Sequence, residues 1–352
     1  MKIIIAIDNF RIGGAERVAS LIANELSARH DVHAIIFDEE IRYSIDPKVK
    51  LHIISPGKIG RFRRIILRLI DYNKIIREIQ PDIIFSFAYV GIYAAFGKLL
   101  AHDKQAKLIC SERTDPAREP ESKIARYFRD WAYSKCDTLV CQTPFVVDYF
   151  KSNGLKVKYK VIPNPVKEHL PFWTGSESKT FVTACRLAKQ KNLPLMLNAF
   201  KRFVSKYPGY SLKIYGEGPE ESSLINLRNR LGLNENVHFE PFSTNIHDVM
   251  KNALAYVSSS DYEGISNSML EALAVGMPTI CTDCPVGGAN MFIKNGINGF
   301  LIPVGDESSL FNCFEKVISN HTDLNQISQQ AQQIRTEISP SKIVTQWLSL
   351  IE

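Results

Sequence analysis

No apolar run in this chain approaches the length needed to cross a bilayer, which excludes a membrane-spanning helix. The opening stretch Met1 to Asp8 is too short and too soon broken by charge for a secretory signal, and reads as the first strand of a parallel sheet. A disulfide framework is not expected. The seven cysteines (Cys110, Cys136, Cys141, Cys185, Cys281, Cys284, Cys313) are odd in number, scattered and mostly set among apolar residues, which points to free thiols in a reducing compartment, by default the cytoplasm. Cys281-Thr282-Asp283-Cys284 is a lone Cys-x-x-Cys with no second pair and no histidine beside it, so neither zinc nor redox chemistry is expected there. There is no Asp-x-Asp pair, no evident nucleophile, no short-period repeat, and no aromatic platform or motif for nucleic acid. The expectation is a protein without metal, cofactor or nucleic-acid partner.

What is present is ordinary in bulk and uneven in detail. A 45% hydrophobic and 23% charged composition is that of a soluble globular protein, and 352 residues suit two cores better than one. The net charge of +6 is concentrated: Lys58, Arg61, Arg63, Arg64, Arg68, Lys74 and Arg77 fall in one segment, residues 58–77, interleaved with Phe62, Ile65, Ile66, Leu69 and Ile70. A basic amphipathic helix of that kind suits peripheral contact with an anionic membrane surface; a helix packed on its domain with a solvated basic face is the competing reading.

Two halves repeat one rhythm. Apolar runs at 3–7, 32–37, 83–87, 107–110 and 138–141 alternate with helical periodicity at 17–28, 65–79 and 124–135. Prolines at 163 and 165 interrupt the pattern, and the boundary is expected there. The alternation resumes with strands at 180–184, 211–215, 237–239, 255–259 and 279–281, helices at 193–206, 220–231 and 246–252, and an edge hairpin near 296–302. Strands alternating with helices imply parallel sheets, so the fold class is α/β, two doubly wound Rossmann-like domains facing a central cleft. The expected division is 1–165, 166–335 and a terminal helix at 336–352 packing back on the first domain.

The densest chemistry lies in Glu263-Gly264-Ile265-Ser266-Asn267-Ser268-Met269-Leu270-Glu271. It follows a strand and opens a helix that Gly276 would stop. Ser266 or Ser268 could cap that helix, whose first amides then offer an anion site. Amides would take a phosphate and the two carboxylates the hydroxyls of a sugar. Spacing alone also fits an ordinary loop with two surface glutamates.

Four further motifs decide between those readings: Gly13-Gly14-Ala15-Glu16-Arg17; Arg186-Leu187-Ala188-Lys189-Gln190-Lys191; Tyr215-Gly216-Glu217-Gly218; and His238-Phe239-Glu240-Pro241-Phe242. With the glutamate pair, in this order, they make nearly the whole chain resemble the retaining glycosyltransferases of family 4, which have the GT-B fold and use nucleotide-sugar donors. The resemblance implies a UDP-sugar donor. Arg186 and Lys191 would stabilise the departing diphosphate, with Lys189 a competitor in register. Glu263 would contact the transferred sugar and Glu271 the ribose. The amides of Gly264, Ile265, Ser266 and Asn267 would bind the diphosphate, Gly13 and Gly14 would border donor and acceptor, and Gly216 and Phe242 would line the nucleotide. It implies attack by an acceptor hydroxyl on the face from which the nucleotide leaves, with no enzyme nucleophile.

The chain departs from the family at two places. Many members carry a histidine near the transferred sugar, whereas here the segment reads Cys110-Ser111-Glu112-Arg113-Thr114-Asp115-Pro116, with His102 placed before the strand. This variant resembles bacterial enzymes that build lipid-linked or surface glycans, which implies a polyprenyl-diphosphate-linked glycan acceptor and a place at the inner face of the membrane. Glu112 or Arg113 could replace the histidine, or form a salt-bridged loop. Asn290 stands in Gly287-Gly288-Ala289-Asn290-Met291 where relatives often have an acid. A small soluble sugar acceptor and a non-catalytic partner subunit remain alternatives.

Overall fold

The computed structural model describes residues 1–11, 13–55, 57, 60–100, 106–319 and 322–350, with only the backbone of residues 61, 62 and 100. The chain forms two compact units: Met1–Pro165 with Pro340–Glu352, and Val166–Ser339. Lys58 and His102 lie outside the described residues.

The first unit runs β1 (Lys2–Ala6), α1 (Gly14–Ser27), β2 (Asp31–Ile36), β3 (Lys50–Ile53), α2 (Arg61–Ile79), β4 (Ile83–Phe87), α3 (Gly91–Leu100), β5 (Lys107–Glu112), α4 (Lys123–Tyr133), β6 (Thr138–Cys141), α5 (Pro144–Ser152) and β7 (Lys158–Val161). All strands pair in parallel, in the order β3-β2-β1-β4-β5-β6-β7. Ile3, Ile4, Ile5, Phe85, Leu108, Ile109, Leu139 and Val140 are buried, which is why these strands read as unbroken apolar runs. The order reverses between β1 and β4, so the loop after β1 that holds Gly13 and Gly14 lies at the switch point, where parallel sheets leave room for ligands.

The second unit runs β8 (Thr180–Ala184), α6 (Leu193–Lys206), β9 (Ser211–Tyr215), α7 (Glu221–Arg230), β10 (Val237–Glu240), α8 (Ile246–Met250), β11 (Ala255–Ser258), α9 (Asn267–Val275), β12 (Thr279–Thr282), β13 (Phe300–Ile302), α10 (Glu307–Ile318), α11 (Leu324–Ala331) and α12 (Ile334–Glu337). The sheet order is β10-β9-β8-β11-β12-β13, with the reversal between β8 and β11. Its core centres on Phe181, Phe200, Phe203 and Phe314, with edge-on contacts such as Phe181 to Phe203 at 5.6 Å between ring centres. One expectation needs correcting. The edge at 296–302 is not a hairpin: a turn at Gly296, whose amide donates to the Gly299 carbonyl, leads into β13, which pairs in parallel with β12. A hairpin would have required antiparallel pairing.

A last helix, α13 (Pro340–Leu348), belongs to the first unit. Its Trp347 is fully buried, edge-on to Phe85 at 5.1 Å and 5.6 Å from Phe87. The basic helix α2 turns Tyr72, Asn73, Ile76 and Ile79 inward and leaves Arg63, Arg64, Ile65, Ile66, Ile70, Lys74 and Arg77 exposed. Arg68 lies back on the domain, 4.6 Å from the Phe37 ring centre and donating to the Phe37 carbonyl. Among the described residues no helix is long and apolar enough to cross a membrane.

Candidate active site

Every motif of the second unit follows the carboxyl end of a strand. After β8 the chain passes through Cys185, Arg186 and Leu187 into a short turn, Lys189–Lys191, and then α6. The loop can lie there because β9 is followed by glycine. Gly216 has φ +141°, and a Cβ on it would come within 1.9 Å of the Cys185 carbonyl oxygen. Close backbone approach, rather than any side chain, makes the glycine necessary.

Two loops meet across the point where the strand order reverses. Lys191, after β8, bonds directly to Glu263, after β11, through Nζ and Oε2. Ser260 donates to the same Glu263 oxygen at 3.0 Å. Around this pair the loops are laced together. Gln190 donates to the Tyr262 carbonyl (2.8 Å), Asn192 to Asp261 Oδ1 (2.7 Å), and the Ser259 hydroxyl lies within hydrogen-bond distance of the Lys191 and Asn192 carbonyls. Burial pulls the Lys191 ammonium down, but the Glu263 carboxylate and Cys185 more than offset it, so its pKa stands above the ordinary lysine value. The lysine is held charged where a diphosphate would need it. Arg186 is exposed and forms no ion pair among the described residues; Lys189 is likewise exposed.

Helix α9 starts at this junction. Ser266 is its cap, accepting from the Met269 amide at 3.4 Å, and Gly276 ends it in the left-handed conformation. Gly264, Ser266 and Asn267 are half-buried and Ile265 is buried. A Cβ on Gly288 would come within 2.0 Å of the Gly264 carbonyl oxygen, so the Gly287–Gly288 loop buttresses this segment backbone to backbone. Asn290 donates to Asp283 at 3.0 Å. From Met269 to Val275 every residue of α9 is buried, and Glu271 is the sole charged one. A carboxylate in that setting needs a partner. His247 of α8 supplies it, with Nε2 2.7 Å from Glu271 Oε2. Sequence reasoning missed His247, since a single histidine in a five-residue helix carries no periodic signal. Phe242, between β10 and α8, is half-buried.

In the first unit, Gly13 opens α1 with no side-chain cap. Tyr43 pins the loop, its hydroxyl donating to the Gly13 carbonyl at 3.0 Å. The Glu16 carboxylate folds over this turn, within about 2 Å of where a Gly13 Cβ would sit. Burial raises its pKa, partly offset by a bond to its own amide. The carboxylate thus caps its own amide in the first turn of α1.

Glu112 and Arg113 point into the domain. Glu112 accepts from the Arg113 amide (2.8 Å), the Thr114 amide and hydroxyl (3.1 and 3.0 Å) and the Tyr133 hydroxyl (3.2 Å), with Arg129 at 3.8 Å. Arg113 donates to Asn164 at 2.9 Å, and its guanidinium lies 5.5 Å from the Phe87 ring centre and 5.4 Å from that of Trp347. Burial lowers its pKa to about 10. At 4% and 6% exposed, the two residues hold a buried polar loop, with Glu112 facing Arg129; of the two roles open to them, this arrangement is that of the salt-bridged loop. Cys281 and Cys284 are buried thiols, Cys284 donating to the Ser260 carbonyl at 3.2 Å, and burial raises both pKa values. No group of three or more His, Cys, Asp or Glu able to hold a metal occurs among the described residues.

Two parallel-sheet domains, with paired basic and acidic groups at strand ends, define the GT-B class. Comparison with known proteins identifies the family. Residues 12–169 match the family described as Glycosyltransferase Family 4, and residues 171–334 that described as Glycosyl transferases group 1. The chain belongs to the family 4 glycosyltransferases. An uncharacterised glycosyltransferase of Methanocaldococcus jannaschii is 30% identical over 275 residues, 71% of this chain and 66% of that protein. A Campylobacter jejuni N-acetylgalactosamine-N,N'-diacetylbacillosaminyl-diphospho-undecaprenol 4-alpha-N-acetylgalactosaminyltransferase is 25% identical over 325 residues, 88% and 87% of the two chains. Among solved structures, Anabaena HepE in complex with UDP and glucose superposes with a TM-score of 0.83 over 100% of this chain and 99% of its own, at 18% identity. The protein is a glycosyltransferase with the GT-B fold.

Proposed function

We propose that the protein is a retaining glycosyltransferase that moves a hexose or N-acetylhexosamine from a UDP-sugar to a hydroxyl of a polyprenyl-diphosphate-linked glycan, in bacterial surface polysaccharide synthesis. The observation that carries this reading is the Lys191–Glu263 pair across the strand-order reversal, one loop from the buried Glu271. A diphosphate at the start of α9 would meet Lys191, Arg186 and the helix amides. The sugar hydroxyls would meet Glu263 and the ribose Glu271.

In this mechanism the bond from the anomeric carbon to the diphosphate oxygen breaks as the acceptor oxygen bonds to the same face. The acceptor proton passes to the departing phosphate oxygen. The protein's contribution would be electrostatic: charge grows on the diphosphate, and Lys191, Arg186 and the amides would stabilise it. Stabilisation of the leaving group is assigned to these residues and not to a divalent ion. The lipid-linked acceptor is supported by the undecaprenol-linked acceptor in the name of the Campylobacter relative and by the basic, partly apolar outer face of α2, which suits peripheral contact with an anionic membrane.

The test is thermal unfolding of wild type and Glu271→Ala with UDP-, GDP- and ADP-sugars, in chelator. A ligand that binds only the folded state raises the melting temperature. The expected result is a rise with one UDP-sugar that the variant loses. A rise that appears only when a divalent metal is restored would overturn the metal-free reading, and no rise with any UDP-sugar would overturn the donor assignment.

A further inference from the structure

Glu271 is a carboxylate on a helix whose residues from Met269 to Val275 are all buried, and its side chain is 4% exposed. His247, 12% exposed, reaches it from α8, the helix that follows the Phe242 loop. Ile246 and Met250 anchor α8 in the core on either side of the histidine, so the imidazole is delivered from a fixed base. An ionised carboxylate only accepts hydrogen bonds, so opposite one the Nε2 atom, at 2.7 Å, would carry the proton and donate it.

From this geometry we infer that His247 is a positioning residue for nucleotide recognition. It holds Glu271 Oε2, fixes the plane of the carboxylate, and leaves the ribose diol to be read by the other oxygen. The inference rests on the assignment of Glu271 to the ribose made above, and adds how that reading is enforced. A carboxylate held at one oxygen offers a ribose hydroxyl a single acceptor in a set direction. Without the imidazole, the side chain could rotate, or take up a proton to relieve its burial, and either change spoils an acceptor. The role differs from simple packing because it depends on a donor at one atom and not on ring volume.

The experiment compares calorimetric affinities for UDP, 2′-deoxy-UDP and 3′-deoxy-UDP in wild type, His247→Phe, His247→Gln and Glu271→Ala, with melting temperatures measured alongside. Wild type should bind at least one deoxynucleotide about tenfold or more weakly than UDP, as fits loss of a hydrogen bond to a charged group. His247→Phe keeps a ring and loses the donor, and should bring that ratio close to one. His247→Gln keeps an N–H donor and should stay within about threefold of the wild-type ratio, a rescue that packing would not give. A Phe variant that retains the full ratio, or a folded Gln variant that loses it, overturns the inference. Should the Phe variant fail to fold, the Gln variant decides alone. A wild-type ratio of one in both deoxynucleotides overturns the assignment of Glu271 itself, which separates the two failures.

Discussion

At the scale of single residues, the site is built from charges that would be costly to bury alone. Lys191 and Glu263 are 14% and 20% exposed in their side chains, and the carboxylate helps hold the lysine charged. Lys191→Ala should lower stability by about 2 kcal/mol in denaturant unfolding, less than the roughly 3–5 kcal/mol of a fully dry pair, because water reaches both groups. The same variant should lose on the order of a hundredfold in kcat, as removal of one preorganised charge from a transition state does. Removing both partners should cost less stability than the sum of the two single changes. A double variant that is strictly additive would sink the claim that they act as a pair. Arg186, Lys191 and Glu263 stand out in the sequence as charged residues in the loops after apolar strands, and Glu271 as the one acid of an apolar helix. Their partners do not: Ser260 and His247 carry no pattern of their own, and distances across a strand-order reversal do not exist in one dimension. The surroundings of Glu112 and Arg113 were not legible either, since their inward turn depends on Tyr133, Asn164 and Trp347 from elsewhere in the chain.

At the scale of elements, the central strands of the first unit were legible and its edge strands were not. β1, β4 and β6 are covered on both faces, so their runs are continuously apolar, whereas β3 and β7 are short, half-exposed and rich in lysine. Helix α5 had a readable start, with Thr143 as cap and Pro144 in the first turn, but its nine residues were too few to establish a period. Helix α3 is almost wholly apolar and carries two glycines, so periodicity gave no direction. Helix α2 is the element on which the proposed membrane contact rests. Ile65, Ile66 and Ile70 are 41%, 41% and 56% exposed beside Arg63 and Lys74. Replacing Ile66 and Ile70 by glutamate should abolish sedimentation with phosphatidylglycerol vesicles at low salt and leave the melting temperature within about 2 °C, since neither side chain is buried. Unchanged sedimentation would remove α2 from the account.

At the scale of the molecule, the division of the chain is not a simple cut. The first unit needs α13, which contributes Trp347 against Phe85, Phe87 and the Arg113 guanidinium. Trp347→Ala should cost that unit about 3–5 kcal/mol, the range for emptying a buried aromatic site. Hydrogen exchange should show the loss in the amides of β4 and β5 while those of β8 and β9 hold. Equal loss in both units would mean that they unfold as one. The second unit, by contrast, is a single unbroken stretch from Val166 to Ser339. The later stretch therefore holds every residue its own sheet needs, while the earlier one, made first, still waits for a tryptophan beyond Ser339. A chain cut before Pro340 would carry a complete second unit joined to a first unit whose face on β4 is left uncovered.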